Sequence, residues 1–165
     1  MKARHLLLAL AALSCADPSA PAPQGDLFGE LPLPPPPVGL LTCTPLAADS
    51  VTQTIGPEGG TIVVGANTFS VPAGALDSAV AITAVAPSDS VNRVQFQPAG
   101  LTFQQPASLT MSYANCDLAG SILPKRVAYT TDLLLILEYL PSVDDLSGQA
   151  VTGQVSHFSD YAVAW

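Results

Sequence analysis

The chain of 165 residues carries thirteen acidic and five basic residues, which gives it a formal net charge of −8. A surface of this sign repels the phosphates of nucleic acids and the headgroups of anionic lipids, so the composition argues against nucleic acid as a partner. Solubility is a sufficient explanation for the acidity itself.

An export signal is predicted at residues 1–15, MKARHLLLALAALSC. Lys2 and Arg4 precede an apolar run over residues 6–13, which is the arrangement found in such signals. A membrane helix needs about 20 apolar residues, and this run is shorter. We therefore expect the segment to be removed after export rather than retained as an anchor.

Cleavage has two candidate positions at the end of this signal. Ser14-Cys15-Ala16 suits an ordinary signal peptidase. Residues 12–15, Ala-Leu-Ser-Cys, resemble the lipobox of bacterial lipoproteins, although that family usually has Leu where Ala12 stands. The resemblance implies that Cys15 becomes the lipidated first residue and holds the protein on a membrane. Ala16, directly after this cysteine, resembles the pattern of lipoproteins that are sent to the outer membrane. We favour lipidation, because the alternative leaves an unpaired thiol in an exported protein.

Residues 16–41 are predicted to form a linker. The segment contains eight prolines, including an unbroken run at 34–37, and no β-branched run. Such a sequence cannot bury a core and favours extended polyproline geometry, which at ~3.1 Å per residue spans roughly 75 Å. We expect a spacer between the membrane and the following domain. The alternative is a proline-rich ligand for another protein.

Residues 42–165 are sufficient for one domain with one core. Short, mostly β-branched runs alternate with Gly, Pro, Asn and Asp, a pattern typical of strands joined by turns. The predicted strands lie at 51–55, 61–64, 67–71, 80–85, 91–97, 101–103, 108–113, 127–130, 151–156 and 161–165. Their spacing predicts an all-β fold, an antiparallel β-sandwich.

One segment, DLLLILEY at 132–139, fits this pattern less well. It is Leu-rich, follows two threonines suited to capping a helix and precedes Pro141. Its apolar part is short and lies among strands, so a buried strand is favoured over a short helix.

Two cysteines, Cys43 and Cys116, remain once Cys15 is assigned to lipid. Disulfides persist outside the cytosol, so we expect these two cysteines to form one, with two free buried thiols as the alternative. In the chain-entropy model, closing a loop of about 74 residues contributes ~4 kcal/mol to stability.

Three signatures follow one another in the first half of this domain. They are Gly59-Gly60 before a strand, VPAGA at 71–75 and PAGLTFQQP at 98–106. In this order they resemble the ZU-five domain of ankyrins, netrin receptors and zonula occludens proteins, which also occurs in bacterial surface proteins. The resemblance implies a ZU-five-like sandwich. Independently of any family, the glycines suit turns between strands, and we expect Phe69 and Phe103 in the core.

Few residues are suited to chemistry. His157 is the one histidine left after removal of the signal, and a single His with scattered carboxylates does not make a zinc site. Asp132, Glu138, Asp144 and Asp145 offer the oxygen ligands that calcium takes, but we expect a hydrated acidic loop at the last two. The sequence has no phosphate-binding loop or nucleophile elbow, so we predict no metal, no cofactor and no small-molecule substrate.

His157, Phe158 and Ser159 interrupt the alternation of the last strands. In the phase that buries Val155 and Tyr161, His157 and Ser159 point inward and Phe158 points outward. We therefore expect a bulge or bend at 157–159 that returns Phe158 to the core.

The same triplet resembles the His-Phe-Ser sequence at which certain eukaryotic ZU-five proteins cut themselves. The resemblance implies a catalytic role in which Ser159 attacks the carbonyl of Phe158 and His157 is the general base. An oxyanion donor is also required, and the sequence does not identify one. A structural role, with Phe158 packed and the two polar side chains hydrogen-bonded, is the favoured interpretation.

Two functions are therefore expected as alternatives. The first is an exported, lipid-anchored envelope protein, periplasmic or surface-exposed, whose sandwich is a structural or protein-binding module for an unknown envelope protein. The second is an autoproteolytic domain that cleaves itself between Phe158 and Ser159.

Overall fold

The structure, a computed structural model, describes residues 39–165, so the signal predicted at 1–15 and Cys15 lie outside the described residues. In this range eleven strands form two antiparallel sheets that pack against each other. The predicted antiparallel β-sandwich is confirmed. No helix in residues 39–165 is long and apolar enough to cross a membrane.

The strands in chain order are β1 (Asp49–Ile55), β2 (Gly60–Val64), β3 (Asn67–Val71), β4 (Val80–Ala86), β5 (Arg93–Gln97), β6 (Thr102–Ser112), β7 (Arg126–Thr130), β8 (Ile136–Tyr139), β9 (Ser142–Asp145), β10 (Ala150–His157) and β11 (Asp160–Ala164). One sheet has the order β1-β4-β5-β11-β7-β8, and the other has the order β2-β3-β6-β10-β9. Because β1 packs near β2 and β9 near β7, strands β8 and β9 lie together at one side of the sandwich.

Alternating burial explains why these segments form strands. In β3, Phe69 and Val71 are buried while the residues before them are half-buried. In β10, Val151 and Val155 are buried in the same alternating way. The inward side chains meet between the sheets, where removal of apolar area from water is the main source of stability.

The two sheets approach closely at Gly153 in β10. A β-carbon at this position would lie 2.6 Å from the Cβ atom of Val127 in β7, on the opposite sheet. A real Cβ atom does not come so close to another carbon, so only glycine fits between the sheets at this point.

Strand β6 joins two predicted strands, 101–103 and 108–113, into one element of 11 residues. Its register with β10 shifts between Val155 and His157, in the part of the ladder that faces Pro106. Proline has no N–H to donate, so a break in the pairing is expected beside it. The irregularity lies directly before the end of β10.

The first described residues are already part of the sandwich. Gly39 and Trp165 exchange backbone hydrogen bonds of 3.2 and 3.0 Å, and the Leu41 N–H donates to the Val163 carbonyl at 3.1 Å. Leu41 is also buried in the core. Ordered structure is therefore present before residue 42, the predicted start of the domain, because these backbone groups find partners at the end of β11.

Cys43 and Cys116 form a disulfide with an S–S distance of 2.08 Å, which confirms the predicted pairing. The two residues face each other in an isolated antiparallel bridge. The disulfide joins the segment before β1 to the loop between β6 and β7. It spans a sequence separation of 73 residues.

Residues 132–139 differ in part from the prediction. A strand, β8, is present and no helix, but the strand covers only Ile136–Tyr139. The expected burial is wrong, since Leu133, Leu135 and Leu137 are 82%, 62% and 55% exposed. The reason is position, because Leu133 and Leu135 lie in the turn before β8, and Leu137 lies in β8, the last strand of its sheet, which has a neighbouring strand on one side only.

The expectation of a hydrated loop at the acidic pair 144–145 is wrong, because these two residues form the end of β9. The Asp144 carboxylate accepts hydrogen bonds from the Tyr113 hydroxyl and the Lys125 N–H, both at 2.7 Å. The Asp145 carboxylate accepts the Gly148 N–H at 2.9 Å and so closes the turn to β10. Both carboxylates are used to hold backbone and side-chain donors in place.

Candidate functional site

The His-Phe-Ser triplet forms the corner at which the chain passes from one sheet to the other. Strand β10 ends at His157 in the five-stranded sheet, and β11 begins at Asp160 in the six-stranded sheet. Phe158 and Ser159 are the two residues between them. Together with the register shift before His157, this corner confirms the predicted bend.

The side chain of Phe158 fills the core at this corner and is only 2% exposed. Its ring stacks on Phe96 with centroids 4.9 Å apart and an interplanar angle of 10°. Phe103 meets it edge-on at 5.1 Å, and Phe69 lies tilted at 5.5 Å. The bend therefore returns Phe158 to the core, as predicted, and gives it three aromatic neighbours.

The backbone around Phe158 is held from the side of β6. The Phe158 N–H donates to the Leu101 carbonyl at 2.7 Å, and the Phe158 carbonyl accepts the Gly100 N–H at 3.1 Å. Gly100 has φ of 77°, a left-handed conformation that suits glycine, and this conformation belongs to the turn that presents its N–H. The carbonyl next to the Phe158–Ser159 bond thus has a fixed donor, which sequence reasoning did not identify.

The imidazole of His157 lies against tyrosine rings. Its centroid is 5.0 Å from that of Tyr129, in an edge-on arrangement, and 6.4 Å from that of Tyr161. The Tyr161 hydroxyl donates to the backbone carbonyl of His157. In residues 39–165 no hydrogen bond joins the His157 imidazole to the Ser159 hydroxyl, so the predicted base and nucleophile are close in sequence but are not paired.

A cavity of about 400 Å³ opens beside His157, between the corner and the β8–β9 connection. Its apolar wall is formed by Pro106, Leu140 and Pro141. Its polar and aromatic lining residues are Glu138, Gln154, Ser156, His157 and Tyr161. A concave apolar surface with a few convergent polar groups is the usual form of a binding site.

Two side chains at this corner, Tyr161 and Asp160, have a raised pKa. Burial raises the pKa of the Tyr161 hydroxyl, and the nearby Tyr129 and Glu138 raise it further, so Tyr161 stays neutral and remains a donor. Burial also raises the pKa of the Asp160 carboxyl. The Gln95 side-chain amide donates a hydrogen bond of 2.9 Å to the Asp160 carboxylate and so lowers this pKa, whereas the nearby Asp132 raises it further.

A second surface feature is a set of exposed apolar side chains in and around β8 and β9, the last strands of the two sheets. Five large apolar side chains in or next to β8 and β9 are at least half exposed. We call this group the apolar edge, and it consists of Leu133, Leu135, Leu137, Val143 and Leu146. Leu134, in the turn before β8, has φ of 61°, which is unfavourable for a residue with a branched side chain. Sequence reasoning missed this surface, because it assigned the leucines to the core.

The predicted site residues are thus brought together in two places. Cys43 and Cys116 are bonded, and His157, Phe158 and Ser159 share the corner, whereas Cys15 lies outside the described residues. No group of three or more His, Cys, Asp or Glu residues in the range 39–165 has the geometry of a metal site. No family model matches the chain, and no curated protein matches it either.

Proposed function

We propose that this chain is an exported, lipid-anchored envelope protein whose ZU-five-like sandwich binds another envelope protein through the apolar edge. The observation that carries the proposal is the exposure of Leu133, Leu135 and Leu137, at 82%, 62% and 55%, on and next to an edge strand. These three leucines lie within one five-residue stretch, and a group of exposed apolar side chains is typical of surfaces that another protein covers.

Folding does not explain this surface. Exposed leucines add no buried area to the core, and the positive φ of Leu134 costs of order 1 kcal/mol relative to an unstrained conformation. The free side of β8 also presents unpaired backbone groups, which can pair with a strand of another chain. A partner that adds a strand beside β8 or β9 would cover the leucines and use the free backbone groups.

The proposed location in the cell envelope rests on features other than the apolar edge. The layout of residues 1–15 favours export, and the disulfide between Cys43 and Cys116 suits an oxidising compartment. Lipid on Cys15 would hold the protein on the outer membrane, and residues 16–38 would separate the sandwich from it. These assignments rest on sequence, and the ZU-five likeness rests on the three signatures quoted above.

Binding through the apolar edge can be tested with matched variants. A partner captured from native envelopes is purified, and its affinity is measured for the wild type, for Leu135→Ser with Leu137→Ser, and for Val63→Ser. Val63 is 59% exposed but lies in β2, on the opposite side of the sandwich. We expect a loss of about tenfold or more for the double variant only. Equal affinity for all three proteins would contradict the proposal.

Lipidation has its own test. Cells expressing the chain are labelled with a radioactive fatty acid, with a Cys15→Ser variant as control. Label on the wild type alone, together with its recovery in the outer-membrane fraction, supports the anchor. An unlabelled wild-type protein contradicts it, and the binding proposal is then judged separately.

Self-cleavage is the second candidate, and one specific contact favours it. The Gly100 N–H already donates to the Phe158 carbonyl at 3.1 Å, which is the position of an oxyanion donor for attack on that carbonyl. In the reaction the Ser159 Oγ would bond to the Phe158 carbonyl carbon and pass its proton to His157. The peptide C–N bond would break as its nitrogen takes up a proton, and water would then hydrolyse the ester.

Intact-mass spectrometry under denaturing conditions decides this candidate. Denaturation is needed because β11 lies between β5 and β7 and would hold the cleaved segment by pairing. Cleavage should give a fragment ending at Phe158 and a second one of residues 159–165, and Ser159→Ala should stay whole. A single uncut mass for the wild type after long incubation at neutral pH excludes self-cleavage.

A further inference from the structure

We propose that the cavity beside His157 receives a lysine or arginine side chain of the partner that covers the apolar edge. The inference rests on the proposed function and adds the chemistry of the partner. It starts from Glu138, which lines the cavity and follows Leu137 of the apolar edge directly in β8.

Glu138 has a carboxylate without a counter-charge. It makes no ion pair within residues 39–165, where Arg93 and Asp89 form the one salt bridge, at 3.1 Å. Its register partner is Tyr129, so the carboxylate lies on the face that points toward the other sheet. A partner covering this side would remove water from Glu138, and a buried carboxylate is stable only beside a cation or strong donors.

The walls of the cavity beside His157 suit the uncharged part of a lysine or arginine side chain. Pro106, Leu140 and Pro141 form an apolar wall for the methylene groups. Tyr161 also lines the cavity, where its buried side chain donates a hydrogen bond to the His157 backbone carbonyl. Polar groups of Gln154 and Ser156 provide acceptors for the remaining N–H groups of a guanidinium.

No cation of this domain is suited to fill the site. Residues 39–165 contain three basic residues, and Arg93 is held by Asp89. The Lys125 ammonium is buried, where it donates to the carbonyls of Ser121 and Leu123. Arg126 lies 4.8 Å above the ring of Tyr139. A counter-charge for Glu138 in a complex would therefore come from the partner, and the acidic surface favours the approach of a cationic one.

Continuity with the apolar edge indicates a side chain rather than a free amine. Leu137 and Glu138 are consecutive in β8, so their side chains point to opposite faces of the strand, and a partner strand paired beside β8 alternates in the same way. One extended segment can cover the exposed leucines and place a basic residue in the cavity. The expected partner segment thus alternates apolar residues with at least one lysine or arginine.

Peptide titrations followed by NMR test the inference on the full chain. The probes are acetyl-LTVRVL-amide and a matched peptide in which glutamine replaces arginine. We expect the arginine peptide to shift the amide signals of Glu138 and His157 and to bind about tenfold more tightly than the glutamine peptide. Glu138→Gln should abolish this difference, and Glu58→Gln, in the distant β1–β2 turn, should preserve it.

The outcomes separate the two proposals. If both peptides bind equally and Leu135→Ser with Leu137→Ser weakens both, the cation site is refuted and binding through the apolar edge stands. No shift near Glu138 up to saturating peptide, or an equal preference in Glu138→Gln, also refutes the cation site. If the captured envelope partner binds the edge variants with the same affinity as the wild type, the proposed function fails as well.

Discussion

The corner at Phe158 and the turn before β8 place apolar side chains in opposite environments. Phe158 is 2% exposed among three phenylalanine rings, whereas Leu133 is 82% exposed. The corner lies where the chain crosses from one sheet to the other, so its side chain points into the space between them. The turn joins β7 to β8, the last strand of its sheet, and leaves the side chain of Leu133 in solvent. Location in the sandwich, rather than hydrophobicity, decides which apolar residue contributes to stability.

The largest expected effect is at the corner. Phe158→Ala should lower the free energy of unfolding by about 3–5 kcal/mol, because it removes a buried ring from a packed aromatic cluster. Urea unfolding followed by circular dichroism measures the loss. A loss below about 1 kcal/mol would show that the corner does not support the core.

The next effect concerns the close approach of the sheets before the corner. Gly153→Ala places a β-carbon 2.6 Å from the Cβ atom of Val127 and should cost about 1–3 kcal/mol through overpacking. The same unfolding measurement applies, with Gly39→Ala as control, since a β-carbon at Gly39 meets nothing within 4 Å. Equal stability of both variants would indicate that the sheets separate easily here.

A smaller effect should depend on pH and involves Asp160, the residue after the corner. Its raised pKa means that the folded chain holds the proton more tightly than the unfolded chain. Stability from this group is therefore present at low pH and falls as the pH rises from the ordinary Asp value of ~3.9 through the raised one. The free energy of unfolding of Asp160→Asn, measured relative to that of the wild type, should therefore be higher at pH 8 than at pH 4. The opposite trend in unfolding experiments would contradict the assigned cause.

The smallest effect is expected at the apolar edge. Leu133→Ser, Leu135→Ser and Leu137→Ser should each change the free energy of unfolding by no more than about 0.5 kcal/mol, because these side chains are largely exposed. Thermal unfolding of the three variants checks this. A large loss at any of them would mean that the edge supports the fold, and the contrast with Phe158 would disappear.

The sequence was sufficient for features set by local pattern. Alternating residues predict β3 and β10, and the conflict of phase at 157–159 predicts the bend, because exposing Phe158 while burying His157 and Ser159 is unfavourable. The disulfide followed from the number of cysteines and the expected compartment.

Features that depend on distant segments were not predictable in this way. A Leu-rich strand has the same local pattern in the centre of a sheet as at its edge, so the exposure of Leu137 required the strand order. The acidic end of β9 looks like a loop until Tyr113 and Lys125 provide its donors. Likewise, a turn glycine is expected at Gly100, but only the fold directs its N–H to Phe158.

The pairing of the N-terminal segment with β11 determines how the domain would bear mechanical load. If the proposed lipid anchor transmitted tension to the domain, the force would enter at Gly39 and first break its hydrogen bonds to Trp165. Unzipping would stop at Cys43, because the covalent bond to Cys116 passes the force to the loop after β6. Strand β1 and the core behind it would be protected from pulling along the tether.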